Sequence, residues 1–388
     1  MMKQHLNEAV YGARRSAIRE FSNLAKQTPG CVALTLGEPD FDTPKEIRDE
    51  VTRSLDNHET HYIMNNGIPA LRARIAEKEN QRLGTSYTQD NIIVTAGAEE
   101  AVFLALFSIL NPGDEVIVPM PAFVIYEEIT GLCRGRFVPM DISDNDFQID
   151  REKLESLITP RTKAIVLNSP NNPTGCILNR ESLEAVRDVA SERNIFVIAD
   201  DVYQELTYTD DCHSIGEYHA DLQDKLMVVQ SFSKPYAMTG WRMGYICVDA
   251  SIRERMELVH QFMVTSTPAP FQQAALRALD VDVTPFLETY RKRRAYMLRR
   301  LEEMGLPVVE PEGAFYAFPS ISKWQLSSGD FCRRMIQEVG LAATPGFAFG
   351  SDDHIRLTYC YSDEELKTGL DRLEQFLRIL DREQEAQK

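Results

Sequence analysis

The sequence predicts an α/β protein: a large domain with a mostly parallel central sheet between helices, plus a smaller α+β domain. Two observations carry this. From about residue 90, short apolar or β-branched runs at 92–95, 116–118, 164–167, 195–199, 227–230 and 245–248 alternate with helical segments. The runs are apolar throughout rather than alternating, as strands covered on both faces are. The length, 388 residues, suits two domains.

In chain order, residues 14–26 read as a polar-rich helix that stops before Thr28-Pro29-Gly30. Residues 32–36 read as a strand and Gly37-Glu38-Pro39-Asp40 as a turn, with helices at 44–56 and 69–82. The strand at 92–95 leads into a helix at 99–110, which Asn111-Pro112-Gly113 ends. A charged helix at 284–304 links to the smaller domain, with strand patterns at 314–318 and 354–359. The last helix opens on Ser362 and Glu365, a capping-box spacing, and buries Leu366, Leu370, Leu373 and Leu377. The division expected is an N-terminal arm and part of the small domain at 1–43, a large domain at 44–283, and the rest of the small domain at 284–388.

Composition excludes some classes. Lys+Arg 42 against Asp+Glu 59 gives −17, which argues against nucleic acid or an anionic membrane as the main partner. No apolar run is long enough to span a bilayer. The seven cysteines are scattered without a C-x-x-C pair, and no secretory h-region follows Met1. The expectation is reduced thiols in a cytoplasmic protein.

The chemistry concentrates in Ser231-Phe232-Ser233-Lys234 and Gly240-Trp241-Arg242-Met243-Gly244. Two hydroxyls and an arginine can hold a phosphate while the lysine reaches a carbonyl on the same molecule. Pyridoxal phosphate carries both groups. Lys234 is thus the candidate Schiff-base lysine; its plainer reading is an exposed turn lysine. Gly97, Ala98 and Glu99 open a helix, a ready anion site as well as an ordinary cap. Asp200, at a strand end, is a candidate partner for the pyridine nitrogen, and Asp201 competes for that role. Asn172 and Tyr203 are candidate donors to the cofactor's phenolic oxygen. Phe123 is a candidate to stack on the ring, or else core. Arg356, inside the apolar run Ile355-Arg356-Leu357, reads as a clamp on a substrate carboxylate or as an edge-strand arginine. Gly97, Asn168–Thr174, Asp200 and Ser231 all follow or end predicted strands, where ligands of open α/β sheets collect. His58 and His61 lack further ligands for a metal. Ser233 is in no G-x-S-x-G elbow, and no phosphate-binding G-x-G-x-x-G or Walker loop is present.

Together these motifs resemble the fold-type I PLP-dependent aminotransferases of class I/II. The likeness runs through Gly37-Glu38-Pro39-Asp40-Phe41, His61-Tyr62 with Gly67 and Leu71-Arg72, Val94-Thr95-Ala96-Gly97-Ala98 and Asn111-Pro112-Gly113-Asp114. It continues through 121–126, 170–175, Asp200-Asp201-Val202-Tyr203, 231–244, Gly313-Ala314-Phe315-Tyr316, Pro345-Gly346, Phe349-Gly350 and Arg356-Leu357. The resemblance implies that Lys234 holds pyridoxal 5'-phosphate and shuttles the proton. It selects Asp200, three residues before Tyr203, over Asp201. It puts Arg242, Ser231, Ser233, Gly97, Ala98 and Glu99 at phosphate positions. Tyr62 matches a tyrosine that reaches the partner subunit's phosphate, implying a homodimer with shared sites. Arg356, Asn172 and the Gly37 backbone match the α-carboxylate clamp.

Some aspartate-using relatives carry lysine where this chain has Glu99, which would repel a side-chain carboxylate. The closer likeness, in Leu34-Thr35-Leu36-Gly37, 236–242 and 311–320, is to bacterial aromatic amino acid aminotransferases and to the aminotransferase A group, which uses N-acetyl-diaminopimelate. Ile18 and Phe21 read as an apolar lid over the substrate side chain or, equally, as the core face of an amphipathic helix. The expected activity is transfer from an aromatic or broadly apolar L-amino acid to a 2-oxo acid such as 2-oxoglutarate. The alternatives are an N-acetyl-LL-diaminopimelate aminotransferase and a carbon–sulfur β-lyase on the same fold. A PLP-binding regulator has no room for a DNA-binding domain before Gly37.

Overall fold

The computed structural model describes residues 7–386. Its strands are β1 (Val32–Ala33), β2 (Ile92–Thr95), β3 (Glu115–Met120), β4 (Arg136–Asp141), β5 (Thr162–Asn168), β6 (Phe196–Asp200), β7 (Leu226–Ser231), β8 (Gly244–Val248), β9 (Tyr316–Ala317), β10 (Leu341–Ala342), β11 (Thr344–Pro345) and β12 (Ile355–Thr358). Seven form one sheet in the order β2-β8-β7-β6-β5-β3-β4. β8 runs antiparallel to both its neighbours, and the others are mutually parallel.

Helices cover both faces of this sheet, so every residue of β2, β7 and β8 is buried. The helix Ala98–Ile109 is apolar on most sides and packs beneath β7 and β8. Each large aliphatic side chain buried here contributes about 1.5–3 kcal/mol. The sequence reading missed β4. Its residues alternate between exposed and buried, and Pro139 interrupts the pattern. As the edge strand, β4 tolerates a residue with no N–H, which a central strand does not.

A second apolar cluster lies around the three-stranded sheet β11-β12-β9 and the parallel pair β1–β10. It gathers Phe21, Leu34, Phe315, Phe331, Leu366 and Leu370. The helix Thr284–Glu303 contributes Tyr290, Met297 and Leu301 to this cluster. At the head of the helix Asp363–Ala386, Ser362 N donates to Glu365 Oε2 at 3.2 Å and Glu365 N donates to Ser362 Oγ at 3.3 Å, the reciprocal cap its spacing implied.

Two early elements are shorter than expected. The first long helix is Ala17–Gln27, starting after Arg14 and Arg15. The strand expected at 32–36 pairs with β10 over Val32 and Ala33. The chain then stays extended, with Leu34 N donating to Ala342 O at 2.8 Å, and carries Thr35 and Gly37 to the edge of a cleft. Among the described residues no helix is long and apolar enough to cross a membrane, and no cluster of three or more His, Cys, Asp or Glu could hold a metal.

Candidate active site

The sheet explains why these residues meet. Asn168 and Asp200 are paired at the ends of β5 and β6. Ser231, ending β7, pairs with Gly244, and Gly244 also pairs with Thr95, the end of β2. Because β8 runs antiparallel, its beginning lies at the same edge as the other strands' ends, and Arg242 arrives there two residues earlier. Glycine is required at 244: a Cβ would lie 2.7 Å from the Gly97 carbonyl carbon and 2.8 Å from Gln230 O. The cleft at this edge holds about 230 Å³.

Lys234 projects from the loop between β7 and β8, which Phe232 N closes on Met243 O at 3.1 Å. Its Nζ donates to Gly37 O at 2.7 Å. Part of the side chain stays open to the cleft, but protein surrounds the ammonium. Burial, reinforced by the positive Arg356 and Arg242, lowers its pKa to about 8, while Cys360 and Glu38 oppose the shift. At pH 7 such a lysine is neutral in roughly one molecule in ten, against fewer than about one in a thousand for an exposed lysine.

Asp200 is buried. Its Oδ2 accepts from the Tyr126 hydroxyl at 2.7 Å, and no cation among the described residues pairs with it. Burial raises its pKa to about 6, with Tyr126 and the Val202 amide opposing. Asn168 Nδ2 donates to the Asp200 carbonyl at 2.9 Å and fixes the strand end. Asp201 is engaged elsewhere: its Oδ2 accepts from Ser214 Oγ at 2.6 Å and pairs with Arg82 at 2.9 Å. Asp201 does not line the cleft.

Arg356, on β12, is 2% exposed and has no carboxylate partner among the described residues. Nη1 donates to Asn172 Oδ1 at 2.7 Å, Nη2 donates to Thr35 O, and Nε is buried without a partner. The guanidinium lies between two rings, 4.4 Å from the Tyr316 centroid and 4.8 Å from that of Phe349. Tyr316 in turn shares a 2.9 Å hydroxyl contact with Tyr203. Gly37 must lack a side chain here, since a Cβ would fall 1.8 Å from Tyr316 Oη.

The other end of the cleft is polar and cationic. Arg242 takes a left-handed conformation (φ 54°) and Nη1 donates to Thr239 O at 2.9 Å. Its Nη2 is 3.9 Å from Glu99 Oε2. Gly97, at φ 83°, leaves room for that guanidinium: a Cβ would lie 2.5 Å from Nη2. Ala98 and Glu99 begin the helix whose free amides face this end. Ser233 N donates to Ser231 Oγ at 3.0 Å, holding both serines beside the lysine.

Most expected residues therefore converge. Ile18, Gly37, Ala98, Glu99 and Phe123 line the cleft with Asn172, Asp200, Tyr203, Ser231, Ser233, Lys234, Arg242 and Arg356, and Gly97 lies behind Arg242. One does not. Phe21 is core of the second cluster, under the Arg333 guanidinium, so only Ile18 of that helix face reaches the cleft. Tyr62, expected at the partner subunit's phosphate, is 91% exposed and stands apart from this cleft. The sequence reading gave no role to Tyr126, Asn168, Tyr316 or Thr35. Tyr126 and Tyr316 fell inside matching motifs, but their hydroxyl partners are 74 and 113 residues away in sequence.

The cleft thus holds an uncompensated carboxylate and an uncompensated guanidinium, a lysine with a lowered pKa, and a cationic helix start. An isolated buried charge is costly, so each calls for a ligand of opposite charge. A pyridinium nitrogen, an aldehyde and a phosphate on one molecule, with a substrate carboxylate beside it, match these groups one for one. The residues fit pyridoxal 5'-phosphate.

Residues 29–373 match the family described as aminotransferase class I and II. The chain is 37% identical over 382 residues to a probable N-acetyl-LL-diaminopimelate aminotransferase of Bacillus subtilis, covering 97% of this chain and 96% of that protein. It is 35% identical over 383 residues to aromatic-amino-acid aminotransferase 2 of Thermococcus litoralis, covering 96% and 98%. The crystal structure of an aspartate aminotransferase from Thermotoga maritima superposes with a TM-score of 0.92 at 35% identity, covering 96% of this chain and all of that one (100%).

Proposed function

The chain belongs to the class I and II aminotransferases, a PLP-dependent family, and on that premise we propose that it moves the amino group of an aromatic or broadly apolar L-amino acid to a 2-oxo acid such as 2-oxoglutarate. The observation that carries the reading is the pairing of two buried, uncompensated charges, Asp200 and Arg356, with Lys234 in one cleft.

Pyridoxal 5'-phosphate, when bound, supplies an aldehyde that takes the amino group and a ring that draws electrons from the α-carbon. Lys234 would hold that aldehyde and, with its amine free, would carry the proton of the substrate α-carbon; its lowered pKa suits both tasks. Asp200, held by Tyr126, keeps a proton on the ring nitrogen. A charge pair of this kind at about 4 Å and an effective dielectric of about 20 is worth roughly 4 kcal/mol before desolvation. Tyr203 and Asn172 would donate to the phenolic oxygen. Arg242, Ser231, Ser233 and the amides of 97–99 would hold the phosphate. Arg356, oriented by Asn172 and Thr35, grips the substrate α-carboxylate, and the Gly37 backbone sits beside it. Phe123 would stack on the ring face, and Ile18 would wall the substrate side chain.

The side-chain wall supports an apolar donor: Ile18, Leu36 and Phe123 face the cleft, and Glu99 opposes the short side-chain carboxylate of aspartate. N-acetyl-LL-diaminopimelate is the second reading, favoured by the name of the Bacillus subtilis relative. We further read the active unit as a homodimer, with Tyr62 reaching the partner's phosphate. The exposure of Tyr62 (91%) and of Phe262 (85%) supports a covered surface there. The two lobes divide near residues 43 and 283 in this reading, and the protein works in the cytoplasm.

Lys234→Ala should abolish transfer from phenylalanine to 2-oxoglutarate and the absorbance of lysine-bound cofactor. Near-normal turnover in that variant would sink the mechanism. Rates across phenylalanine, tyrosine, aspartate, methionine and N-acetyl-LL-diaminopimelate decide the donor.

A further inference from the structure

We propose that His260 is a positioning residue for both phosphate sites of a dimer: it holds the cradle of its own subunit and the loop that its subunit lends to the partner. The inference rests on the homodimer reading, in which Tyr62 reaches the partner's phosphate. His260 belongs to the helix Ala250–Val264 and is wholly buried, and the transfer chemistry makes no use of it. Phe262, two residues further on, is 85% exposed, on the surface which that reading covers.

The imidazole bridges two segments. Nδ1 lies 2.8 Å from Glu100 Oε1, and Nε2 lies 2.9 Å from Asn65 O. A carboxylate and a carbonyl offer no proton, so the ring donates on both sides. On one side, Glu100 Oε2 accepts from Ala96 N, directly ahead of the 97–99 amides. On the other, Asn65 lies three residues after Tyr62, in the turn that Gly67 N closes on Met64 O at 3.0 Å. Three successive carbonyls of this turn are held: Asn65 by His260, Asn66 by Val94 N at 3.0 Å and Gly67 by Arg72 Nε at 3.1 Å. Among the described residues, no other side chain hydrogen-bonds to both the 62–67 turn and the 96–100 segment. The neighbouring cations are matched elsewhere: Arg253 pairs with Glu257, and Arg72 faces Asp90 at 3.8 Å. Replacing the ring therefore leaves two acceptors short of a donor, one in each segment.

The two bonds can be cut separately. An asparagine side chain puts its amide nitrogen near the place of Nδ1, and a glutamine puts its own near that of Nε2. His260→Asn therefore keeps the Glu100 contact and frees Asn65, His260→Gln does the reverse, and His260→Leu cuts both. The experiment uses mixed dimers purified through two tags, with Lys234→Ala in one chain, so that a single lysine per dimer binds cofactor. The His260 variant sits either on the chain with the lysine or on the chain that lends Tyr62. Pyridoxal 5'-phosphate affinity is read from the absorbance of lysine-bound cofactor. His260→Asn should weaken affinity about tenfold on the lending chain and leave it within about twofold on the lysine chain. His260→Gln should show the opposite pattern, and His260→Leu should weaken affinity in both places. Turnover at saturating cofactor should change little, because no bond to the reacting atoms is lost. If His260→Leu does not fold, the two polar variants carry the test. Equal losses in both places or a reversed pattern for the polar variants, or no loss from either, would overturn this inference alone. Tyr62→Phe on the lending chain should also weaken affinity. No effect there, or a native enzyme that sediments as a monomer, would overturn the homodimer reading beneath it.

Discussion

Replacing Arg356 tests the charge argument most directly. Its guanidinium is buried between Tyr316 and Phe349, is held by Asn172 and Thr35, and has no carboxylate partner among the described residues. If a substrate carboxylate completes the site, Arg356→Ala removes two charge-assisted hydrogen bonds, each worth about 1.5–3 kcal/mol. The summed loss of about 3–6 kcal/mol lowers kcat/KM by roughly 10²- to 10⁴-fold. Arg356→Lys keeps the charge but not the fork, so it should recover part of the loss. The assay is initial rates over a range of phenylalanine concentrations, beside a primary amine of similar shape without the α-carboxylate. The native enzyme should prefer the amino acid strongly, and Arg356→Ala should erase most of that preference while its rate with the amine changes little. Circular dichroism checks that β12 still packs. A loss below about tenfold with phenylalanine, or an equal loss with the amine, would refute the carboxylate role.

Three further outcomes follow from the geometry. Gly97→Ala places a methyl 2.5 Å from Arg242 Nη2 at a φ of 83°, so pyridoxal 5'-phosphate affinity should fall at least about tenfold, measured by equilibrium dialysis. Tyr126→Phe removes a hydroxyl that helps keep Asp200 ionised; kcat should fall about 10- to 100-fold, and the acid limb of the pH profile should move to higher pH. In the apoprotein, cofactor capture by Lys234 should accelerate as pH rises, with a midpoint near 8, measured by stopped-flow absorbance. The linkage has the same direction. A lysine whose pKa is depressed on folding binds fewer protons in the native state, so its contribution to apoprotein stability rises with pH from about 8 towards its ordinary value of 10.5. Chemical denaturation at several pH values checks the sign.

Much of the site was legible before any coordinates. Lys234 with two serines and Arg242 reads as an aldehyde-and-phosphate site because the residue types are chemically tied to those groups. Strands such as Ile92–Thr95 are legible because burial on both faces demands unbroken apolar runs. β4 was not, because an edge strand escapes that demand and accommodates Pro139. Phe21 and Ile18 share an amphipathic helix, and nothing in their spacing says which one faces the cleft and which the core.

The sequence by itself determined the chemistry: a lysine, an aspartate, an arginine and a phosphate cradle, each in a recognisable local motif. The tertiary structure decided their meeting and their electrical state. It inserted β8 antiparallel between β2 and β7, which brings Arg242 and Gly97 to one edge. It turned Asp201 toward Arg82 and left Asp200 in the cleft. It buried Arg356 and Asp200 without counter-ions among the described residues. Pairing across a sheet and desolvation arise between residues far apart in sequence, so no local pattern encodes them. Those effects turn a lysine with an ordinary pKa into one near 8.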